Sequence, residues 1–486
     1  MRRRRWLACV AATLCACTTV GPDYRVPGDA AVRAPAANGP LQGGAAHGVA
    51  IAPVPDDWWR LYDDQRLDRL VQQALAANTD IRAAAANLRR AVALLHEVES
   101  ENLPQGGASA SVSRAQLSAE SFLQTEKPPV FNLGDFGLGV SYLIDFFGKL
   151  ARADEAALAG AQASEAALDQ VRVSVAAQTV RAYVQGCAAT HELAAATRQL
   201  EVQQRTLGAT RRLVAGGRGE PADVARERAR TEALRAALPA LEASRTAARY
   251  RLALLLGKPP AGLPPDEVEC HGEPTLRTPL PVGDGATLLR RRPDVRQAER
   301  ELAAATARIG VATADLYPSI RIGASAGLTG VLSHLGSGPT ARWSVGPLLS
   351  WSLPTNGVRH RIHGHEAAAE AALARFDGAV LRALQETETA LSAYTRELER
   401  HEALHAAYEH AGEAARQQRR LQQAGRIPYL ALLDAERTLA DAEAALAASE
   451  GHVVSRQVDL FLALGGGWQA GRMATPATSA QDEKSE

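Results

Sequence analysis

The sequence predicts a mixed α+β chain, mostly α, in which one pattern of long helices and paired short strands occurs twice. Three observations point there. FGLGVSYLIDFF (136–147) places Phe136, Leu138, Val140, Tyr142, Ile144 and Phe146 on alternate residues, with Gly137, Gly139, Ser141 and Asp145 between them and Leu143 as the exception. A period of two gives a strand with one apolar face and one small or polar face. After Gly148-Lys149 the composition changes to an Ala-, Glu-, Gln- and Arg-rich stretch without Pro that continues to about Val214, a single helix of about 100 Å at about 1.5 Å per residue. The same order of elements then returns in the second half, and such a duplication constrains architecture more firmly than any local pattern.

Taken in order, Arg2 to Arg5 and the apolar Trp6 to Ala16 form a targeting segment. Leu14-Cys15-Ala16 before Cys17 resembles the bacterial lipoprotein signal. That resemblance makes 1–16 the signal peptide and Cys17 a lipidated N-terminus, and Thr18 in place of Asp implies the outer membrane. Residues 17–55, rich in Ala, Gly and Pro, are expected as an extended tether. The first structural repeat is placed at 56–272, the second at 273–471, and a disordered tail at 472–486.

Within the first repeat, Leu67, Leu70, Val71 and Leu75 have helical spacing that continues to about Glu101, before Pro104. GASASVSRAQL (107–117) is a weak strand, 118–134 a loop, and 136–147 the strand described above. The turn AGGRGEP (215–221) returns the chain in a helix to Leu256, in which Leu234, Leu238, Leu241, Ala248, Leu252 and Leu255 form a coiled-coil seam and Pro239 predicts a kink. In the second repeat Asp80 aligns with Asp294, Arg82 with Arg296, Pro104 with Pro318, Gly148 with Gly357, and Gly217 with Gly425. Its strands are expected near 320–328 and 343–353, with Trp343, Val345, Leu349, Trp351 and Leu353 on one face and Ser344, Gly346, Ser350 and Ser352 on the other.

Lys plus Arg and Asp plus Glu balance at 54 each, so composition implies no attraction to nucleic acid or anionic lipid. No internal apolar run reaches the roughly 18 residues that suggest a transmembrane helix, so membrane insertion would have to be by strands. Four strands cannot close a barrel, and open edges in lipid leave backbone groups unpaired at a cost of several kcal/mol each. Three copies would supply a closed barrel of about twelve strands, within the range of outer-membrane barrels.

Nearly the whole chain resembles the TolC/OprM family of outer-membrane efflux channels, in its lipoprotein branch. The resembling residues are Cys17 with VGPDYRVP (20–27), DDWWRLYDDQRLDRLVQQALAANTDIRAAAANLRRA (56–91), RRRPDVRQAERELAAATARIGVATADLYPSI (290–320) and AGRIPYLALLDAERTL (424–439). The resemblance implies a homotrimer with a twelve-stranded barrel and a periplasmic α-barrel. It also implies a periplasmic adaptor and an inner-membrane RND-type pump as partners, with outer-membrane lipid around the strands and no nucleic acid.

Leu430, Asp434 and Arg437, spaced i, i+4 and i+7, lie on one helical stripe. In a threefold tube a leucine ring would constrict the pore, and an aspartate ring would need the compensation that Arg437 supplies. The family's periplasmic gate is similar, and the match over PYLALLDAER carries those roles to these three residues, with Ala431 where many of the family carry a second aspartate. Adaptor contact is expected at the helix tips: Val214, Gly217, Glu220, Pro221 and Asp223 on one, Gly425, Arg426 and Tyr429 on the other.

No catalytic constellation, cofactor motif or metal set emerges, and no phosphate loop supplies energy. Asp56-Asp57 and Asp63-Asp64 suit a helix start rather than acid–base chemistry. His360, His363 and His365 suit a solvated rim better than a metal site. Cys187, in a helical pattern, reads as a small packing residue, although an exported chain could oxidise it with Cys270. Two other functions share parts of this pattern: the channel of a one-step (type I) protein secretion system, and a lipid-anchored coiled-coil scaffold without a pore.

Overall fold

The computed structural model describes residues 19–466 other than 45, 117, 121, 122, 124, 266–269, 271 and 273. Cys17, the segment before it and the tail 472–486 lie outside the described residues. The main elements are helices α1 (Gln65–Ala77) and α2 (Thr79–Ser100), strands β1 (Gln105–Ala115) and β2 (Phe131–Ile144), then helices α3 (Lys149–Ala215) and α4 (Pro221–Leu255). There follow α5 (Gly285–Arg291), α6 (Pro293–Ala314), β3 (Ser319–Val331), β4 (Ala341–Ser350), α7 (Asn356–Gln423) and α8 (Tyr429–Ala463). The order helix, strand, strand, long helix, return helix thus occurs twice. α3 has 67 residues and α7 has 68, far beyond the usual helix of a globular domain.

The chain forms two compact units. The first comprises the described residues up to Gly28, 87–165 and 297–376, and contains a four-stranded antiparallel sheet in the order β1-β2-β3-β4. The strands are 11, 14, 13 and 10 residues long, close to the roughly 9–11 that cross a bilayer when tilted. They begin and end differently from expectation. β1 starts two residues earlier, at Gln105. β2 begins at Phe131 and stops at Ile144, because the chain turns over residues 145–148 and Gly148 takes φ +74°. β4 ends at Ser350, leaving Trp351 and Leu353 outside it, ahead of a cis Leu353–Pro354 bond. Gly357, aligned with Gly148 in the sequence, instead lies in the first turn of α7 and carries no positive φ.

The second unit comprises 29–86, 166–296 and the described residues from 377 onward. Its core includes Val173, Val180, Leu252, Leu255, Val380, Leu391, Val458, Leu460 and Phe461, all buried. The DDWWRLYDD segment is built into it. Trp58 stacks on Phe461 with ring centroids 4.4 Å apart, and the Tyr62 hydroxyl donates to Gln457 at 3.1 Å. Asp64 caps α1 by accepting from the amides of Arg66 and Leu67. The expected extended tether has more structure than that: Pro35–Asn38 is a turn of helix, and Val49–Ala50 pairs in parallel with Leu280–Pro281.

The single helix expected to run to Glu101 is two helices, separated at Asn78. Its side-chain oxygen accepts from the amides of Asp80 (2.8 Å) and Ile81 (3.2 Å), starting α2 afresh, and its amide donates to the Leu255 carbonyl at 3.0 Å. In the second half Arg292 stands in the corresponding place and donates to the Ala463 carbonyl at 2.8 Å. Gly257 and Gly465, which follow the two return helices, take φ +66° and +68°. Pro239 lies inside helix α4. Pro239 is exposed, so solvent can meet the carbonyl its missing N–H leaves free.

Cys187 is not merely a packing residue: it is bonded to Cys270, tying α3 to the connector between the two halves of the chain. Helical periodicity placed Cys187 on a buried face. It carried no signal that a loop cysteine 83 residues later reaches the same point.

Candidate functional site

In the first unit the register gives the sheet two different faces. Phe136 faces Leu328, Leu138 faces Ala326, Val140 faces Ala324 and Tyr142 faces Ile322; across the next pair, Ala326 faces Trp343, Ala324 faces Val345 and Ile320 faces Leu349. Directly opposed residues project from the same side of a sheet, so these side chains form one apolar surface. It is not covered by the chain: Leu138 is 68% exposed, Val345 68% and Trp343 80%. Leaving each such side chain in water forfeits ~1.5–3 kcal/mol relative to burying it. The other face carries Ser109, Ser111, Gly137, Gly139, Ser141, Gly323, Ser325, Ser344 and Gly346, with Phe131, Leu133, Leu143, Val331 and Leu348 as its larger apolar members. Here Arg342 donates to Asp135 at 2.9 Å and to Thr329 at 2.7 Å, and Thr329 also donates to Asp135. β1 and β4 are the outer strands, each paired on one side.

The turn from β2 into α3 is held by the N-terminal segment. Val20 donates its amide to the Phe147 carbonyl at 3.0 Å, and a Cβ on Gly148 would meet Thr19 at 2.4 Å. Arg152, 3% exposed, donates to the carbonyls of Val20 and Gly21 and to Asp23 and Glu155. Gly21, at φ +85°, lies so close to Gly310 of α6 that a Cβ would meet its Cα at 2.4 Å. The Tyr24 hydroxyl reaches Glu299 at 3.3 Å, and burial pushes its pKa up to about 12, so it remains a neutral donor. The VGPDY stretch is thus a fitted clasp.

In the second unit the two tips have the same construction. At the first, Arg218 donates to the Leu213 carbonyl (2.8 Å) and Gly217 to that of Val214 (3.0 Å), with Gly217 at φ +71°. At the second, Arg426 donates to the Leu421 carbonyl and Gly425 to that of Gln422, both at 2.9 Å, with Gly425 at φ +69°. Both are Schellman-type closures, which need a left-handed residue. Glu220 and Asp223 form a capping box over the first turn of α4, with Pro221 inside it. Gly217, Glu220, Pro221, Gly425, Arg426 and Tyr429 are exposed, while Val214 and Asp223 are half-buried.

The three stripe residues lie in the first turns of α8. Leu432 and Leu433 are buried, whereas Leu430 is turned outward at 37% exposure. Arg437 donates to Asp434 within the helix. Glu436, which the sequence reading passed over, is the charge that holds neighbouring helices: Arg205 of α3 lies 3.5 Å from it and Arg419 of α7 3.1 Å. Further along, Arg198 pairs with Glu443, Gln199 with Asp441 and Arg181 with Asp459. As the α3 number falls the α8 number rises, the mark of two antiparallel helices in constant register.

His363 pairs with Glu366 at 2.9 Å on α7. Among the described residues no group of three or more His, Cys, Asp or Glu is placed to hold a metal ion, and no helix is long and apolar enough to cross a membrane.

The sequence profile of the family described as outer membrane efflux protein matches residues 70–258 and 286–466, most of the chain. The chain belongs to that family. Proteins similar to it include nodulation protein T of Rhizobium leguminosarum bv. trifolii, 28% identical over 455 residues that cover 92% of this chain and 94% of that one. The probable efflux pump outer membrane protein TtgC of Pseudomonas putida is 28% identical over 470 residues, 95% of each chain. Among solved structures, the outer-membrane channel OprN superposes with a TM-score of 0.84 at 37% identity, over 93% of this chain and 100% of that one. This outer membrane efflux protein is therefore an outer-membrane protein with the mostly helical, part-strand fold of an efflux channel, and its family is one of channels rather than enzymes.

Proposed function

We propose that the chain is the passive outer-membrane exit duct of a tripartite efflux pump. The observation that carries this is the two-faced sheet: an apolar face the chain leaves exposed, a Gly- and Ser-rich face behind it, and an unpaired edge at either side. Three copies joined β4 to β1 give a closed barrel of about twelve strands, with the apolar face in lipid and the polar face on a water-filled lumen. Residues 56–272 and 273–471 act as the two repeats of each chain, following a lipid-anchored Cys17 and the 17–55 segment. The long helices continue the duct into the periplasm.

Leu430, Asp434 and Arg437 form the periplasmic gate, as threefold rings. A periplasmic adaptor docks on the tips around Val214–Asp223 and Gly425–Tyr429, and an inner-membrane RND-type pump supplies the energy. The efflux-pump name of TtgC favours small-molecule cargo over protein secretion, and the exposed sheet counts against a scaffold without a pore. Purified protein reconstituted in planar bilayers should give discrete current steps; a trimer that inserts without ever conducting would refute the duct.

A further inference from the structure

The polar face of the sheet carries three charges within its strands: Asp135, Arg321 and Arg342. Two of them cancel, since Arg342 is paired with Asp135. Arg321 is different. It is exposed, and among the described residues it has neither a hydrogen-bond nor an ion-pair partner. The residues directly across from it are Leu143 on β2 and Leu348 on β4, and its neighbours along β3 on that face are Ser319 and Gly323. Thr329, which marks the Asp135–Arg342 pair, is eight residues further along β3, ~26 Å away at about 3.3 Å per residue. That is several times the ~8 Å screening length of physiological salt, so the distant carboxylate does not neutralise Arg321.

The nearer carboxylates are engaged elsewhere. Asp145 accepts from the Ala151 amide at the start of α3, at 3.0 Å. Asp315 is shared between Lys149 at 2.6 Å and Arg361 at 2.8 Å. Neither carboxylate is paired with Arg321, whose guanidinium stands beside Ser319 and Gly323 along β3 and between Leu143 and Leu348 on the flanking strands. A guanidinium offers five donors in a fixed fork, which matches carboxylate, phosphate and sulfate oxygens in pairs.

We propose that Arg321 is the charge selector of the duct. Three copies form a ring of uncompensated cations near the helical end of the barrel, and that ring favours anionic small molecules over cations of the same size. Rings of Arg or Lys select anions in other pores by the same electrostatics. The inference rests on the duct reading, because only in a closed barrel does this face line a lumen.

The test is the zero-current potential of the full-length trimer in a planar bilayer under a potassium chloride gradient, for the unaltered protein and for Arg321→Lys, Arg321→Gln and Arg321→Glu. The substitutions change an exposed side chain without a partner, and native gels check that each variant is trimeric. Chloride is expected to be more permeant than potassium in the unaltered protein and in Arg321→Lys. Arg321→Gln moves the potential towards zero, and Arg321→Glu reverses its sign. Potassium preference in the unaltered protein, or an Arg321→Gln potential equal to the unaltered one, overturns the selector while leaving the duct standing. Inserted trimers without current overturn the duct, and the selector with it.

Discussion

Arg437 donates to Asp434 one turn earlier on the same helix, so the charge pair at the second tip is closed within one chain. Asp434 nevertheless remains 64% exposed on its side chain, open to a neighbour, and Leu430 lies one turn before it. In the proposed gate, apolar contact and an acid compensated by its own helix would hold the tip shut. Removing the compensation in Arg437→Ala leaves copies of Asp434 facing one another and should open the tip. Asp434→Ala frees Arg437 to repel in the same manner. Both variants should conduct more than the unaltered protein in planar bilayers. Unchanged low conductance in both would remove these residues from the gate.

Glu436 should matter in a different way. Its carboxylate joins Arg205 of α3 and Arg419 of α7, whereas the Asp434–Arg437 pair stays within α8. Both arginines are about half exposed, and pairs of that kind are worth ~0.2–1 kcal/mol each. Glu436→Gln is expected to lower the melting temperature only slightly, yet to raise conductance by loosening two neighbouring helices. A large fall in melting temperature without any change in conductance would make Glu436 a structural residue alone.

The Cys187–Cys270 bond spans 83 residues of sequence. Chain-entropy arguments put the stabilisation from closing a loop of that length at ~4 kcal/mol. Cys270→Ser should therefore unfold at a clearly lower temperature than the unaltered protein, and the difference should vanish when both are reduced. Equal melting curves under oxidising conditions would show that the bond contributes nothing to stability.

The clasp at the N-terminus has a defined pH response. The Arg152 guanidinium, hydrogen-bonded to Asp23, holds that carboxyl below its ordinary value of 3.8. An acid with a lowered folded-state pKa stabilises the fold above its unfolded value, and the contribution is lost as pH falls through the lower, folded one. The Val20 amide, bonded to the Phe147 carbonyl, should stay protected from hydrogen exchange at about pH 5 and lose protection only below about pH 4. In Arg152→Met that protection should already be weak at neutral pH. Gly21→Ala should release the segment at every pH, because its Cβ has no room against Gly310.

Much of this was legible in the residues, for local reasons. The alternation of Phe, Leu, Val and Tyr with Gly and Ser marks a two-faced strand wherever it occurs, and the observed register gathers those residues on one side. Gly217 and Gly425 announced tight turns because only glycine takes that backbone cheaply. What stayed hidden depends on contacts between distant parts of the chain. Asn78 sits inside a continuous helical pattern, and it breaks the helix there with the help of a carbonyl 177 residues away. Glu436 looks like any solvated helix charge until α3 and α7 are beside it. Cys187 reads as core because half of its bond is in a loop without periodicity.

The central claim, that three chains close one barrel through β4 and β1, is tested most directly by cross-linking those edges. Cysteines placed at Ser109 of β1 and, in turn, at Ser344 and Ser350 of β4 would be oxidised in outer-membrane fractions, in a chain whose described cysteines are already bonded to each other. The account predicts a covalent trimer on a denaturing, non-reducing gel for at least one pairing, lost on reduction. Monomers alone, from every pairing, would contradict it.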